Sequence, residues 1–490
     1  MASHRGYQLS LRKLSRRSLI YLGLPHAIFY AGWLTLPYAL AASILLIAGI
    51  YLSNERTERI SVFLPSRWNH RFLLLTAPLM ALAVGIGMGN WLTPHMHYLW
   101  HNHLWQDLIH LPWPVSYESG NVLVHPLAYY LPSAWIGKIL HPLVQILVEF
   151  WWGIYGMSLC FFWIGASFPR HTYRAVAIFA LFGGVEILGR GLLGQPLADL
   201  SWMPLPEGEV AAMFPSLFDR FSAFPGQSMA AFLLSSLFYH QWRDGLSIEA
   251  CIMAWGLTFL WSWWVALGAL PFLVLLFWEN DRSGWPVWVT SVIGSALGLC
   301  ILAYAWPQIQ ALPIKWMDQP QVFIWYVVLI GLPSGLLLAN SSIKDDSRWI
   351  MILLAALPLL ILLISWGPGV DVWIGLSAVS FFWLGYEVID LLLSVEMKKR
   401  WIKMAMTLCV LLGMIVPGYH LYRQIHLSYY PHLQAYDPSP ISSLNLSQIP
   451  GIYMLKDLPK DIDRSPYYVA KPERFFFEQM AKKQEEDFNK

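Results

Sequence analysis

The sequence predicts an all-α fold: a polytopic helical membrane protein of about 11–13 transmembrane helices, with outer loops and a short outer C-terminal tail. Three observations predict it. Of the 490 residues, 57% are hydrophobic and only 13% charged, against about 25% charged in a typical soluble domain. Apolar runs near the roughly 20 residues needed to cross a bilayer recur along the chain. Basic residues gather in alternate connecting segments, as the positive-inside bias requires. A net charge of +2 is too small to imply a nucleic-acid partner. Membrane lipid is the partner that composition does imply.

The elements follow in order. Residues 1–18 form a basic N-terminus carrying Arg5, Arg12, Lys13, Arg16 and Arg17, expected in the cytoplasm. Leu19–Leu52 is too long for one comfortable span and is interrupted by Pro37, so two short helices forming a hairpin are expected. Asn54–Arg71 holds four arginines and returns to the basic side. Phe72–Leu92 crosses outward, with Ala83, Gly85, Gly87 and Gly89 suited to close helix packing. The stretch 93–125 then lies outside. Residues 126–141 contain Pro132 and Lys138 and read as a re-entrant or interfacial helix, or a full span.

Spans are expected at Val144–Ala166, Tyr173–Gly189, Gly226–His240, two short helices within Ser247–Trp278, then Trp285–Trp306, Val322–Ala339, Ile350–Trp366, Val372–Ser394 and Met404–Tyr419. A second outer loop covers about 191–225. The polytopic membrane domain is thus 19–422. Residues 423–490 form the outer tail, where Phe475–Phe477 would anchor a short helix to the membrane surface or the main body. The cysteines Cys160, Cys251, Cys300 and Cys409 all lie in apolar runs without a CxxC pair. They read as polarizable core residues rather than thiolate ligands or disulfide partners.

Chemistry concentrates in the loop 93–125, which has no Lys or Arg but six histidines, at 95, 97, 101, 103, 110 and 125, and two acids, Asp107 and Glu118. A carboxylate at the membrane surface can take a proton from an attacking hydroxyl. Asp107 and Glu118 are therefore the candidate catalytic residues; Asp199, Glu207, Glu209 and Asp219 are the acids of the second loop. His101, His103, Lys138 and Arg220 are cations able to neutralise a phosphate leaving group. Trp105, Trp113, Tyr117, Tyr129 and Tyr130 offer rings for a sugar, or anchors for the bilayer interface.

His95, His97, His101 and His103 have spacings open to zinc or copper, but no acid completes a ligand pattern, and imidazoles bonding lipid, sugar or phosphate fit better. No metal ligands are assigned and no cofactor is firmly implied; a divalent metal stays open. Charged groups inside spans are costly. Glu149 stands out on that ground, whereas Glu186 and Arg190 are four apart and can pair.

The run His101-Asn-His-Leu-Trp-Gln-Asp-Leu-Ile-His-Leu-Pro-Trp-Pro-Val-Ser-Tyr117, followed by Tyr129-Tyr-Leu-Pro-Ser-Ala-Trp-Ile-Gly-Lys138, resembles a family of large, poorly characterised bacterial integral membrane proteins. Phe224-Pro-Gly-Gln227 and Tyr467-Tyr-Val-Ala-Lys-Pro-Glu-Arg-Phe-Phe-Phe477 are similar to that family too. Its organisation resembles the GT-C class of glycosyltransferases.

The resemblance implies an inner-membrane enzyme of the cell envelope that uses a polyprenyl-phosphate-linked sugar donor at the outer face. An acid of the first outer loop would act near the acceptor. Relatives often carry an Asp ahead of the His-Asn pair, where this chain reads His97-Tyr-Leu-Trp-His-Asn102, so the duty would move to Asp107 or Glu118. His101, Asn102, Trp113, Tyr117, Lys138 and Arg220 would bind substrate. The alternative is a non-catalytic transporter or envelope-assembly protein on a similar scaffold. An inverted repeat would favour the transporter, and the sequence offers no convincing one.

Overall fold

The computed structural model describes residues 7–55, 61–64, 96–117, 121–183, 220–221, 224–279, 284–311, 314–316, 332–340, 348–356, 364–366, 370–393, 400–415, 418, 422, 469–470, 476 and 480–481. Among them are fourteen helices and three two-stranded antiparallel ladders. The fold is all-α and that of a helical membrane protein.

The first two helices make the expected hairpin. Ser10 caps α1 (Leu11–Trp33) by accepting from the Lys13 amide. The chain turns through Leu34, which is extended, and re-enters helix α2 (Leu36–Glu55). The break therefore precedes Pro37 rather than falling on it. A proline in the first turn lacks only an N–H that would have no helical partner, so Pro37 starts α2 instead of interrupting it. Leu36, Leu40, Ile44, Ile47 and Tyr51 stand exposed along one face of α2. A contiguous apolar stripe of that kind suits lipid, not water.

The next helices are α3 (Met96–His110), α4 (Leu131–Ile139), α5 (Pro142–Ser167) and α6 (Thr172–Leu181). At nine residues α4 cannot cross a bilayer, which removes the full-span reading of 126–141. Then come α7 (Pro225–Asp244), α8 (Ile248–Trp261), α9 (Trp263–Trp278) and α10 (Trp285–Ala311). Pro225 opens α7, and Gly245, at φ +67°, ends it in the left-handed conformation that glycine adopts without strain. The split within Ser247–Trp278 falls at Ser262, whose extended backbone ends α8 and whose hydroxyl accepts from the Val265 amide to start α9.

The last helices are α11 (Leu332–Asn340), α12 (Arg348–Ala356), α13 (Val370–Leu393) and α14 (Arg400–Gly413). Among the described residues four stretches are long and apolar enough to span a membrane: Leu36–Ser53, Val144–Ser167, Trp285–Pro307 and Gly375–Leu393. The shorter α8 and α9 are also apolar. A Cβ on Gly256 would collide with the Gly294 carbonyl oxygen, and one on Gly268 with that of Leu376. Glycine thus allows α8 to meet α10, and α9 to meet α13, at backbone contact.

Contacts between helix ends show which ends share a side. The α1–α2 turn packs with the segment just after α3, since Trp113 lies against Trp33 and over Gly32. The Ala128 amide donates to the Leu260 carbonyl at the end of α8, and Tyr304 of α10 donates to the Leu123 carbonyl. At the other end, Ser53 donates to the Glu249 carbonyl, while Ser167, closing α5, meets His240 near the end of α7. Helices entering and leaving in alternation produce this pairing of ends.

The tail returns to the loop side. A strand β1 (Tyr7–Ser10) pairs β2 (Ser61–Leu64), and β4 (Ile314–Trp316) pairs β5 (Ile364–Trp366). More consequential is β3 (Val122–Leu123), which pairs antiparallel with β6 (Val469–Ala470) from the tail. The Thr35 amide donates to the Met480 carbonyl, and Phe476 is fully buried against Phe29 and Tyr304. Of the two anchors considered for this aromatic triplet, Phe476 takes the main body; Phe475 and Phe477 lie outside the described residues.

Candidate functional site

Helix α3 presents two different faces. On one, Asp107 is half-buried and its carboxylate accepts from the Tyr117 hydroxyl at 2.7 Å. The chain can deliver Tyr117 there because α3 ends by the Leu111 amide bonding the Asp107 carbonyl. The chain then doubles back, with Tyr117 N–H bonded to the Asn121 carbonyl and Leu123 N–H to that of Val115. One turn beyond Asp107, the Leu111 carbonyl accepts from the Lys138 ammonium of α4. Lys138 also lies 5.3 Å from the centroid of the Trp113 ring, and desolvation lowers its pKa below the ordinary lysine value. Asp107, Tyr117, Trp113 and Lys138 therefore form one assembly across α3, the return loop and α4.

The other face of α3 is turned into the protein. His101 is buried, and its Nδ1 is 2.5 Å from the Tyr130 hydroxyl. Trp105 is buried too, its indole N–H donating to Ser133 Oγ at 2.9 Å. The His125 ring packs against Tyr130. Loss of solvation, with a contribution from nearby His101, holds the His125 imidazole down at about 3, so it is neutral at ordinary pH. Its backbone is fixed from α10: the Tyr304 hydroxyl receives the His125 amide at 3.1 Å and donates to the Leu123 carbonyl at 3.0 Å.

These placements correct part of the sequence reading. Trp105, Tyr129 and Tyr130 are core side chains, neither stacking platforms for a sugar nor interfacial anchors. Trp113 is half-buried, with one neighbour in Trp33 at 5.0 Å and its indole N–H given to the Leu108 carbonyl. It supports the site rather than offering a free face. His101 supports α3 from behind.

Arg220 is buried and held elsewhere: Nη2 reaches Ser377 Oγ at 3.3 Å, and the guanidinium lies over Phe381 of α13. Burial pushes its pKa down to about 9, which leaves it cationic at neutral pH. Both contacts are made by α13.

Glu118, Asp199, Glu207, Glu209, Asp219, Glu186, Arg190 and His95 lie outside the described residues, as do the side chains of His97, Asn102 and His103. No group of three or more potential metal ligands occurs among the described residues. Glu149 is buried in α5, with Gln145 Nε2 at 3.4 Å from Oε2. Sequence reasoning missed Tyr304, which fixes the loop from α10. Its separation of 179 residues from His125 carries no local signal.

Comparison with known protein families, with curated proteins and with solved structures found no match to this chain.

Proposed function

We propose that this protein is a membrane glycosyltransferase that uses a polyprenyl-phosphate-linked sugar, with Asp107 as general base. The observation that carries the reading is the Asp107–Tyr117 hydrogen bond, one helical turn from the Leu111 carbonyl that Lys138 holds, at the loop end of a helical membrane bundle. An acceptor hydroxyl would give its proton to Asp107 as its oxygen attacks the sugar's anomeric carbon. The bond from that carbon to the phosphate oxygen would break, and Lys138 would balance the charge gathering on the lipid phosphate. Tyr117 orients the carboxylate. The resemblance of the 101–117 and 129–138 runs to membrane proteins whose organisation is similar to the GT-C class implies the same chemistry.

We assign the loop end to the outer face of a bacterial inner membrane and the N-terminus to the cytoplasm. Arg12, Lys13, Arg16, Arg17, Arg170, Arg174 and Arg243 all belong to the opposite helix ends, which supports this orientation. The test is transfer of a labelled sugar from a polyprenyl phosphate by the full chain in proteoliposomes. Asp107→Asn should abolish transfer while leaving membrane insertion intact; full activity in that variant would remove Asp107 from the mechanism.

A further inference from the structure

At the bundle end opposite the loop, α5 and α7 bring together a serine, a histidine and a carboxylate in a line. Ser167 Oγ, at the last residue of α5, is 2.9 Å from His240 Nε2. His240 Nδ1 is 2.5 Å from Asp244 Oδ2, one turn further along α7. Asp244 also receives a fork from Arg243, Nε to Oδ1 and Nη2 to Oδ2, both at 3.0 Å. Burial alone would raise the Asp244 pKa, but its bonds from His240 and Arg243 prevail and hold it at about 2. It is thus ionised at any ordinary pH.

An ionised carboxylate only accepts, so the proton between it and the ring sits on Nδ1. A neutral ring with Nδ1 protonated presents a lone pair at Nε2, and the Ser167 hydroxyl faces that lone pair. The competing acceptor for the same hydroxyl, the Trp163 carbonyl, is farther, at 3.1 Å. The ring is held from its side by Trp163, with centroids 4.8 Å apart. This is the order of groups that activates a serine nucleophile, recognised by geometry rather than by sequence position.

We propose that Ser167 is an activated nucleophile that takes the acyl group of an anionic membrane lipid ester, with His240 as its base and Asp244 positioning the ring. Ser167 Oγ would bond the ester carbonyl carbon as its proton passes to His240 Nε2. The tetrahedral adduct would then collapse, breaking the bond to the alcohol oxygen, and the alcohol would leave with the proton from His240. Water, deprotonated by the same nitrogen, would release the carboxylic acid and restore the serine.

The lipid class follows from position. Ser167 closes an apolar span, and the chain beyond it exposes Arg170 and Arg174, cations suited to an anionic headgroup. Arg243 Nη1, 3.4 Å from the Ser167 carbonyl oxygen, is a donor within reach of an oxyanion.

The test uses the full chain in detergent with a fluorophosphonate probe, mapping the adduct by mass spectrometry. A phosphonyl adduct on Ser167 is expected, reduced at least tenfold in His240→Gln and absent in Ser167→Ala, while Asp107→Asn labels like the wild type. Proteoliposomes carrying a fluorogenic acyl ester of phosphatidylglycerol should then release acid at least tenfold faster than those carrying the phosphatidylcholine analogue. No adduct on Ser167 in the folded wild type, or labelling unchanged in His240→Gln, would show the line to be a hydrogen-bonded staple between two helices. Equal release from both lipids would overturn the headgroup assignment.

Discussion

The two ends of the bundle hold their polar groups in different ways. At the loop end, Asp107, Tyr117 and Lys138 come from a helix, a return loop and a second short helix, and the backing layer is fixed by α10 and the tail. At the opposite end, Ser167, His240, Arg243 and Asp244 come from two helix termini alone, and three of them lie on a single turn. The loop site is therefore a product of long-range closure, with each polar contact depending on a separate element. The opposite cluster is nearly local, and its stability comes from charged partners one turn apart. Substitutions should accordingly affect glycosyl transfer most at the first end and folding most at the second.

The sharpest way to break that contrast is Asp107→Asn. Loss of a general base should lower glycosyl transfer by about 100-fold or more, with little change in the thermal midpoint of the purified protein. Transfer rate at equal protein and a melting curve check both halves.

Asp244→Asn should behave in reverse. It removes charge-assisted bonds to His240 and Arg243 and should cost about 1–3 kcal/mol of stability, read as a lower melting midpoint with transfer unaffected at permissive temperature. Because the folded carboxyl titrates at about 2, below its ordinary 3.8, its stabilisation is complete above about pH 4 and is lost as pH falls towards 2. The gap between wild type and variant should narrow over that window.

His125 sharpens the comparison from the loop side. Its folded pKa of about 3 lies below the ordinary 6.5. The unfolded chain therefore takes up a proton that the folded one refuses, and stability falls as pH drops below about 6.5, flattening near 3. His125→Gln should lose that slope, as melts from pH 8 to 4 would show. The smallest effect belongs to Tyr117→Phe. One hydrogen bond is lost at a half-buried site, for about 1 kcal/mol, and transfer should fall about tenfold. An unchanged transfer rate would show that Tyr117 does not orient the base.

The all-α membrane fold was legible because hydrophobic run length and charge alternation are both local properties of sequence. The hairpin at 19–52 and the split within 247–278 could be expected from length alone. The position of the first break could not, because a proline two residues into a helix looks like one that interrupts it. Asp107 and Lys138 were visible as charged groups near an apolar boundary. The burial of Trp105, Tyr129 and Tyr130 was not, since aromatic residues near a span read equally as interface, platform or core. His240 and Asp244 stand four apart at the end of a span, a spacing to which no role was attached from sequence. Ser167, 73 residues away, was joined to them only by folding.

The pairing of β3 with β6 sets a timetable for assembly. Val122 and Leu123 leave the ribosome hundreds of residues before Val469 and Ala470, the strand they pair with. Domains fold as they are synthesised, from the N-terminal side, so the bundle can form while its loop still lacks one edge. The loop end is then finished last, by a tail that must be delivered to the same side of the membrane. A fusion or truncation at the C-terminus thus acts on the first loop of the protein, and synthesis that stops after α14 yields a bundle without a completed site.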